Sequence, residues 1–153
     1  MRRPIKKKNI PGPDPVYGSA QVSKLINYVM QRGQKETARK IVYDAFEELK
    51  KGGDPVVIFD EALKNVQPAM EVRSRRVGGA NYQVPMPVRP ERQLALALRW
   101  MIAAAQNGKG TPMSTRLAAQ IKSAQKGEGD AVTKKENMHK MAEANKAFAH
   151  FAW

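Results

Sequence analysis

One change of rhythm constrains this chain more than any other feature. From Val22 to Val66 apolar residues recur at helical spacing, from Met70 to Val88 they alternate, and from Leu94 onward the helical spacing returns. A period-2 stretch cannot be one more helix of a bundle, because its successive side chains point to opposite faces of a strand. The chain must therefore fold as helices interrupted once by β structure.

The helical stripes are explicit. Val22, Leu25, Ile26, Val29 and Met30 define a first helix, opened near Ser19 and stopped at Gly33. Ala38, Ile41, Val42, Ala45, Phe46 and Leu49 define a second, ended by Gly52-Gly53. Asp54 caps a third helix whose first position, Pro55, has no N–H to lose. Its stripe is Ile58, Phe59, Ala62, Leu63 and Val66, and Pro68 stops it. Leu94 to Ala105 is apolar except for Arg99, which marks a central helix covered on several sides. Thr111-Pro112 opens a fifth helix carrying Met113, Leu117, Ala118, Ile121 and Ala124, closed by Gly127. Thr133 and Glu136 have the form of a capping box for a sixth, with the stripe Met138, Met141, Ala142, Asn145 and Phe148.

In the interruption, Met70, Val72 and Ser74 alternate with Glu71, Arg73 and Arg75. After Gly78-Gly79-Ala80-Asn81 the alternation resumes at Tyr82, Val84, Met86 and Val88. Two alternating runs about a glycine-rich turn predict a β-hairpin. Pro85 and Pro87 stand two apart, so their missing N–H groups fall on one side, tolerable at an unpaired edge. The ribbon is thus expected to be two-stranded and free-standing. Before the first helix, Pro4, Pro11, Pro13 and Pro15 predict an extended arm. The expected fold is mainly α: a single domain of six helices with a protruding two-stranded β-hairpin between helices three and four. Residues 1–18 are expected to form a basic extended arm, and residues 19–153 a helical domain with the hairpin inserted at 70–88.

Charge points to the partner. The chain of 153 residues carries 27 Lys+Arg against 14 Asp+Glu, a net charge of +13. Residues 1–10 contribute five bases and no acid, residues 11–70 balance eight against eight, and residues 71–153 hold fourteen bases and six acids. Solubility needs no such asymmetry, whereas a surface that meets phosphate does. The hairpin concentrates it: Arg73 and Arg75 lie on one face, Arg76 on the other, with Arg89 and Arg92 at the base. The planar guanidinium bonds two phosphate oxygens at once, so repeated arginine favours phosphate over mere protection of a strand edge. Lys134, Lys135, Lys140 and Lys146 form a broad basic skin on the last helix, to which Lys35, Arg39 and Lys40 add weakly. Tyr82 has two readings, stacking on a base or packing at the hairpin base.

Other chemistries find no support. There is no cysteine and there are two histidines, so thiol and cysteine–metal chemistry is excluded and histidine chemistry is thinly supplied. His139 and Glu143, four apart on one helix, read as a solvated pair. Gly108-Lys109-Gly110-Thr111 lacks the glycine and preceding strand of a phosphate loop. No apolar run approaches the roughly 18 residues of a membrane span, and the N-terminus has no signal-peptide core. No enzyme activity, cofactor, metal or membrane contact is expected.

These residues resemble a known family. The run from Met70-Glu71-Val72-Arg73-Ser74-Arg75-Arg76-Val77-Gly78-Gly79 through Pro85 is similar to the signature of the bacterial-type ribosomal protein seven of the small subunit. So are Leu98-Arg99-Trp100 and the stretch from His139 to His150, and the similarity spans nearly the whole chain. The resemblance implies a structural constituent of the small ribosomal subunit, acting in the cytoplasm or in an organellar ribosome. It implies a primary binder of 16S rRNA that nucleates assembly of the head, the 3′ domain. Its site would be the subunit interface near the decoding centre, with the hairpin beside the path of mRNA and E-site tRNA. Ribosomal proteins nine and eleven would be neighbours, and the free protein could repress its own messenger. The family's RNA surfaces match Arg2, Arg3, Lys6, Lys7, Lys8, Lys35, Arg73, Arg75, Arg76, Arg92, Lys134 and Lys135. Two departures stand out: Gln34 where the family usually has a base, and Ala152 where it commonly has Arg before the final Trp. The rival reading is a free-standing nucleic-acid regulator, a helical domain with a β-wing. Its recognition helix would need base-reading side chains on one face, but the second helix sets Lys35, Arg39 and Lys40 against Asp44, Glu47 and Glu48.

Overall fold

The structure, a computed structural model, describes residues 11–151. Six α-helices and one hairpin follow in the expected order: α1 (Ala20–Val29), α2 (Lys35–Lys50), α3 (Pro55–Val66), β1 (Met70–Val77), β2 (Ala80–Pro87), α4 (Pro90–Asn107), α5 (Met113–Gln125) and α6 (Asp130–Ala144). The sixth helix, expected to carry its stripe on to Phe148, ends at Ala144, and a short 3₁₀ helix, Lys146–Phe151, takes up the rest.

Local chemistry sets the helix starts, with two corrections. Ser19 Oγ accepts from the Gln21 N–H at 3.2 Å, and Asp54 Oδ1 accepts from the Val56 N–H at 2.9 Å, each satisfying an otherwise orphaned donor. The expected capping box at Thr133 and Glu136 does not form. α6 begins one turn earlier, after Gly129 at φ +98°, and the Thr133 hydroxyl donates back to the Gly129 carbonyl from inside the first turn. Thr111 does not cap α5 either; Pro112 precedes its first residue and offers no side-chain acceptor. α1 stops at Val29, a turn before Gly33, because Arg32 and Gly33 both take left-handed backbone to reverse the chain into α2.

The stripes meet as one core. Phe46 of α2 and Phe59 of α3 are fully buried with ring centroids 5.6 Å apart, surrounded by Leu25, Leu49, Leu63, Leu98, Met101, Leu117 and Ile121. α4 packs on α1, α3, α5 and α6, as its near-uniform apolarity requires. The stretch before α1 joins this core through a buried carboxylate. Asp14 accepts the N–H groups of Val16 and Tyr17 at 3.1 Å and the Tyr43 hydroxyl of α2 at 2.9 Å, while the Tyr17 ring lies 5.0 Å from Phe46. Burial, then the bond to Asp14, hold the Tyr43 hydroxyl above its usual titration range.

The hairpin is antiparallel with Val77 opposite Ala80, so its turn is only Gly78-Gly79, both at positive φ (+57° and +87°), and Ala80 and Asn81 already belong to β2. Positive φ at both central residues is what the type I′ form of a two-residue hairpin turn demands. The closing pair exchanges hydrogen bonds, and every second pair outward does the same. Pro85 faces Val72 and Pro87 faces Met70, both in the intervening non-bonded pairs, so neither proline costs a ladder bond. The same parity returns at the base, where the Val88 N–H donates to the Ala69 carbonyl at 3.0 Å. The expectation of a free-standing ribbon is corrected at this base. Val84, Pro85 and Val88 are buried, and β1 packs on α6 while β2 packs on the 3₁₀ helix.

Candidate nucleic-acid interface

Alternation and register sort the ribbon into two faces. Glu71, Arg73, Arg75 and Val77 share one with Ala80, Tyr82, Val84 and Met86; Met70, Val72, Ser74 and Arg76 share the other with Asn81, Gln83, Pro85 and Pro87. On the second face the outer half is polar and exposed: Ser74, Arg76, Asn81 and Gln83. Arg76 lies directly opposite Asn81, the pairing at which side chains approach most closely.

The first face is organised by a residue that the charge analysis passed over. Glu71 is 4% exposed, and its carboxylate takes Arg73 Nε on Oε1 and Arg92 Nε on Oε2, each at 2.6 Å. Arg73 Nη2 also pairs with Oε1. One carboxylate thus ties a strand arginine to an arginine in the first turn of α4. Both arginine side chains remain about half exposed, at 53% and 46%. Burial pushes the Glu71 carboxyl up, but the bonds from Arg92 and Arg73 outweigh it and hold it below its ordinary value. A carboxylate depressed on folding stabilises the protein in full above its ordinary value of 4.5, and that contribution fades as pH falls through the folded value. The Glu71→Gln variant is therefore expected to melt with a flatter acid limb, seen in thermal midpoints measured from pH 7 down to about 3. An acid limb identical to the wild type's would show that this pair is not ionised as described. The signal that could have exposed Glu71 is its place as an acid two residues from Arg73 on the same face.

The remaining expected residues fall in different places. Arg75 is half-buried, its Nη1 donating to the Phe151 carbonyl at 3.3 Å. Tyr82, opposite it, lies 5.2 Å from the rings of both Phe148 and Phe151, so it takes the packing role. Lys134 is exposed on α6, but Lys135 Nζ donates to the Asn65 carbonyl at the end of α3, at 2.9 Å. Lys35 is exposed at the first position of α2, where the helix dipole disfavours a cation and an anionic partner would relieve it. Beside it, Arg39 is held by Glu36 at 2.8 Å, and the two bases line an open depression with Pro11–Pro15, Ser23 and Asn27. Exposed Arg32, in left-handed backbone at φ +52°, adds a cation to this end that the sequence reading did not single out. The arm cations Arg2, Arg3, Lys6, Lys7 and Lys8 lie outside the described residues, as does Ala152.

Features weighed for other chemistry have structural partners. His139 does not pair with Glu143; its Nε2 accepts the Ala69 N–H at 3.0 Å and fastens α6 to the hairpin base. The Gly108 loop is fastened by Arg116, whose Nη1 donates to the carbonyls of Gln106 and Gly108. Met141 does not belong to the buried stripe, being 49% exposed. Among the described residues no group of His, Asp and Glu is arranged to hold a metal, and no helix is long and apolar enough to cross a membrane.

Comparison with known proteins agrees along the chain. The family model described as ribosomal protein S7p/S5e matches residues 1–146. The small ribosomal subunit protein uS7 of Carboxydothermus hydrogenoformans is 55% identical over 154 aligned positions, covering 99% of this chain and 98% of that protein. That of Thermoanaerobacter sp. (strain X514) is 57% identical over 143 positions, 92% of each. That of Pseudothermotoga lettingae is 52% identical over 155 positions, spanning 100% of both.

Proposed function

The chain belongs to the ribosomal protein S7p/S5e family, whose role is structural and not enzymatic, and we propose that it works as a primary 16S rRNA-binding protein of the bacterial small ribosomal subunit. In this reading it nucleates folding of the head, the 3′ domain, and stays at the subunit interface near the decoding centre. The observation that carries the reading is the exposed, arginine-bearing ribbon, with Arg73 and Arg76 open on opposite faces and Arg92 aligned beside the first. A narrow ribbon charged on both sides suits a site between RNA strands, where phosphates flank it on either hand. Arg75, Lys35, Lys134, Lys135 and the arm bases Arg2, Arg3, Lys6, Lys7 and Lys8 extend the contact. The hairpin tip reaches toward mRNA and E-site tRNA, and ribosomal proteins nine and eleven are its protein neighbours. The same surface would let free protein hold its own messenger and repress translation.

A salt titration tests the phosphate contact. Each phosphate neutralised releases condensed counterion, so log affinity for head-domain RNA falls linearly with log salt, by about 0.7–0.9 per contact. A slope of about 4 or more is expected from filter binding, and in cell extracts the protein should sediment with small subunits. A flat salt dependence, or protein that stays in the free soluble fraction, would defeat the reading.

A further inference from the structure

We propose that Arg73 and Arg92 form one composite phosphodiester-binding site, aligned by the buried carboxylate of Glu71. The inference deepens the RNA-binding reading and rests on it.

The geometry is specific. Both arginines present their Nε edges to one carboxylate, Arg73 to Oε1 and Arg92 to Oε2, across 21 residues of chain. The opposite edges, with N–H groups the carboxylate does not use, belong to side chains about half open to solvent. Glu71 itself is 4% exposed. A ligand arriving from solvent meets two forks held side by side and little of the acid behind them. The cluster keeps an excess positive charge, two bases to one acid, so it still attracts an anion. Planar forks match the oxygens of a phosphodiester.

Stability alone is a weak reason for this arrangement. Burying the carboxylate cancels much of what its ion pairs give, and an apolar residue could fill the space. The arrangement does hold two long, rotamer-rich side chains in place before RNA arrives, which lowers the ordering cost of binding. Glu71 is thus a positioning residue, and its predicted effect has an unexpected sign. Removing an acid from an RNA-binding surface ordinarily strengthens binding; here it should weaken it.

The test is a double-mutant cycle with a transcript of the 16S-type rRNA 3′ domain and the full chain. Glu71→Gln should weaken affinity about 5- to 30-fold, the loss expected when two side chains must be ordered on binding, with a lower salt slope. In an Arg73→Ala/Arg92→Ala background the same change should cost no further affinity. A loss that persists there means that Glu71 acts by shaping the hairpin and overturns the proposal, as does a Glu71→Gln protein that binds equally or more tightly. Arg92→Lys keeps the charge and an ion pair to Glu71 but lacks the fork. It should bind at least about 3-fold more weakly with an unchanged melt, and wild-type affinity for it would also overturn the site. Wild-type protein that ignores the RNA would instead bring down the broader reading, and this inference with it.

Discussion

Removal of residues 1–10 is expected to weaken binding to head-domain RNA by about 10²- to 10³-fold near 0.15 M salt, while leaving the thermal midpoint where it was. The segment carries five bases and no acid, more than a third of the net +13, in ten residues. If three to five of those bases meet phosphate, the slope of log affinity against log salt should fall by about 2.5 to 4. Extrapolated from a 1 M reference to about 0.15 M, that change in slope is the stated loss. Stability should not follow, because the anchor on the helices lies further along. Asp14 takes two backbone N–H groups and the Tyr43 hydroxyl, and Tyr17 packs on Phe46. Filter binding across a salt series, paired with thermal melts, checks both halves. A truncated protein that melts early would place part of residues 1–10 in the core, and one that keeps its affinity would assign the charge some other work.

The helices and the hairpin were legible because both are local patterns. Val22, Leu25, Ile26 and Val29 lie on one stripe whatever they pack against, and all four are buried. The position of Pro85 and Pro87 in the hairpin could be judged from their spacing alone, and the register accommodates both without loss of a ladder bond. Partnerships between elements were not legible. Glu71 meets Arg92 across 21 residues, Asp14 meets Tyr43 across 29, and His139 meets the Ala69 N–H across 70. Periodicity says which face of an element is apolar but not which face of another it meets. The candidate site is therefore read only coarsely from composition. Arginine content found the ribbon and alternation put Arg76 on the face opposite Arg73 and Arg75, but neither could show that Arg73 is clamped by Glu71 or that Arg75 leans on Phe151. Nor could composition show that the Lys135 ammonium is bonded to the end of α3.

Replacing Arg73 through Val84 with a short Gly-Ser link should separate the scaffold from the tool that it carries. The largest buried side chains, from Phe46 and Phe59 to Leu117 and Ile121, all lie on α1 to α5. A lone two-stranded ribbon draws stability from what it packs against. The helical domain should consequently still melt in one cooperative transition. It should not melt at the wild-type temperature, however. The replacement removes buried Val84 and strips Tyr82 from the rings of Phe148 and Phe151, so the 3₁₀ helix loses its seat. Those two losses come to about 3 kcal/mol, which in a domain of this size lowers the midpoint by about 6–12 °C. Far-UV circular dichroism should show a small loss of helical signal from the C-terminal end and none from the core. RNA affinity should persist in part through the arm and the α1–α2 end, where Lys35 sits. What should fail in reconstituted subunits is the grip on the exit side, read as faster release of E-site tRNA or poorer maintenance of the reading frame. A melt that loses cooperativity would make the ribbon part of the folding unit. An unchanged rate of tRNA release would confine Arg73, Arg75 and Arg76 to assembly of the head.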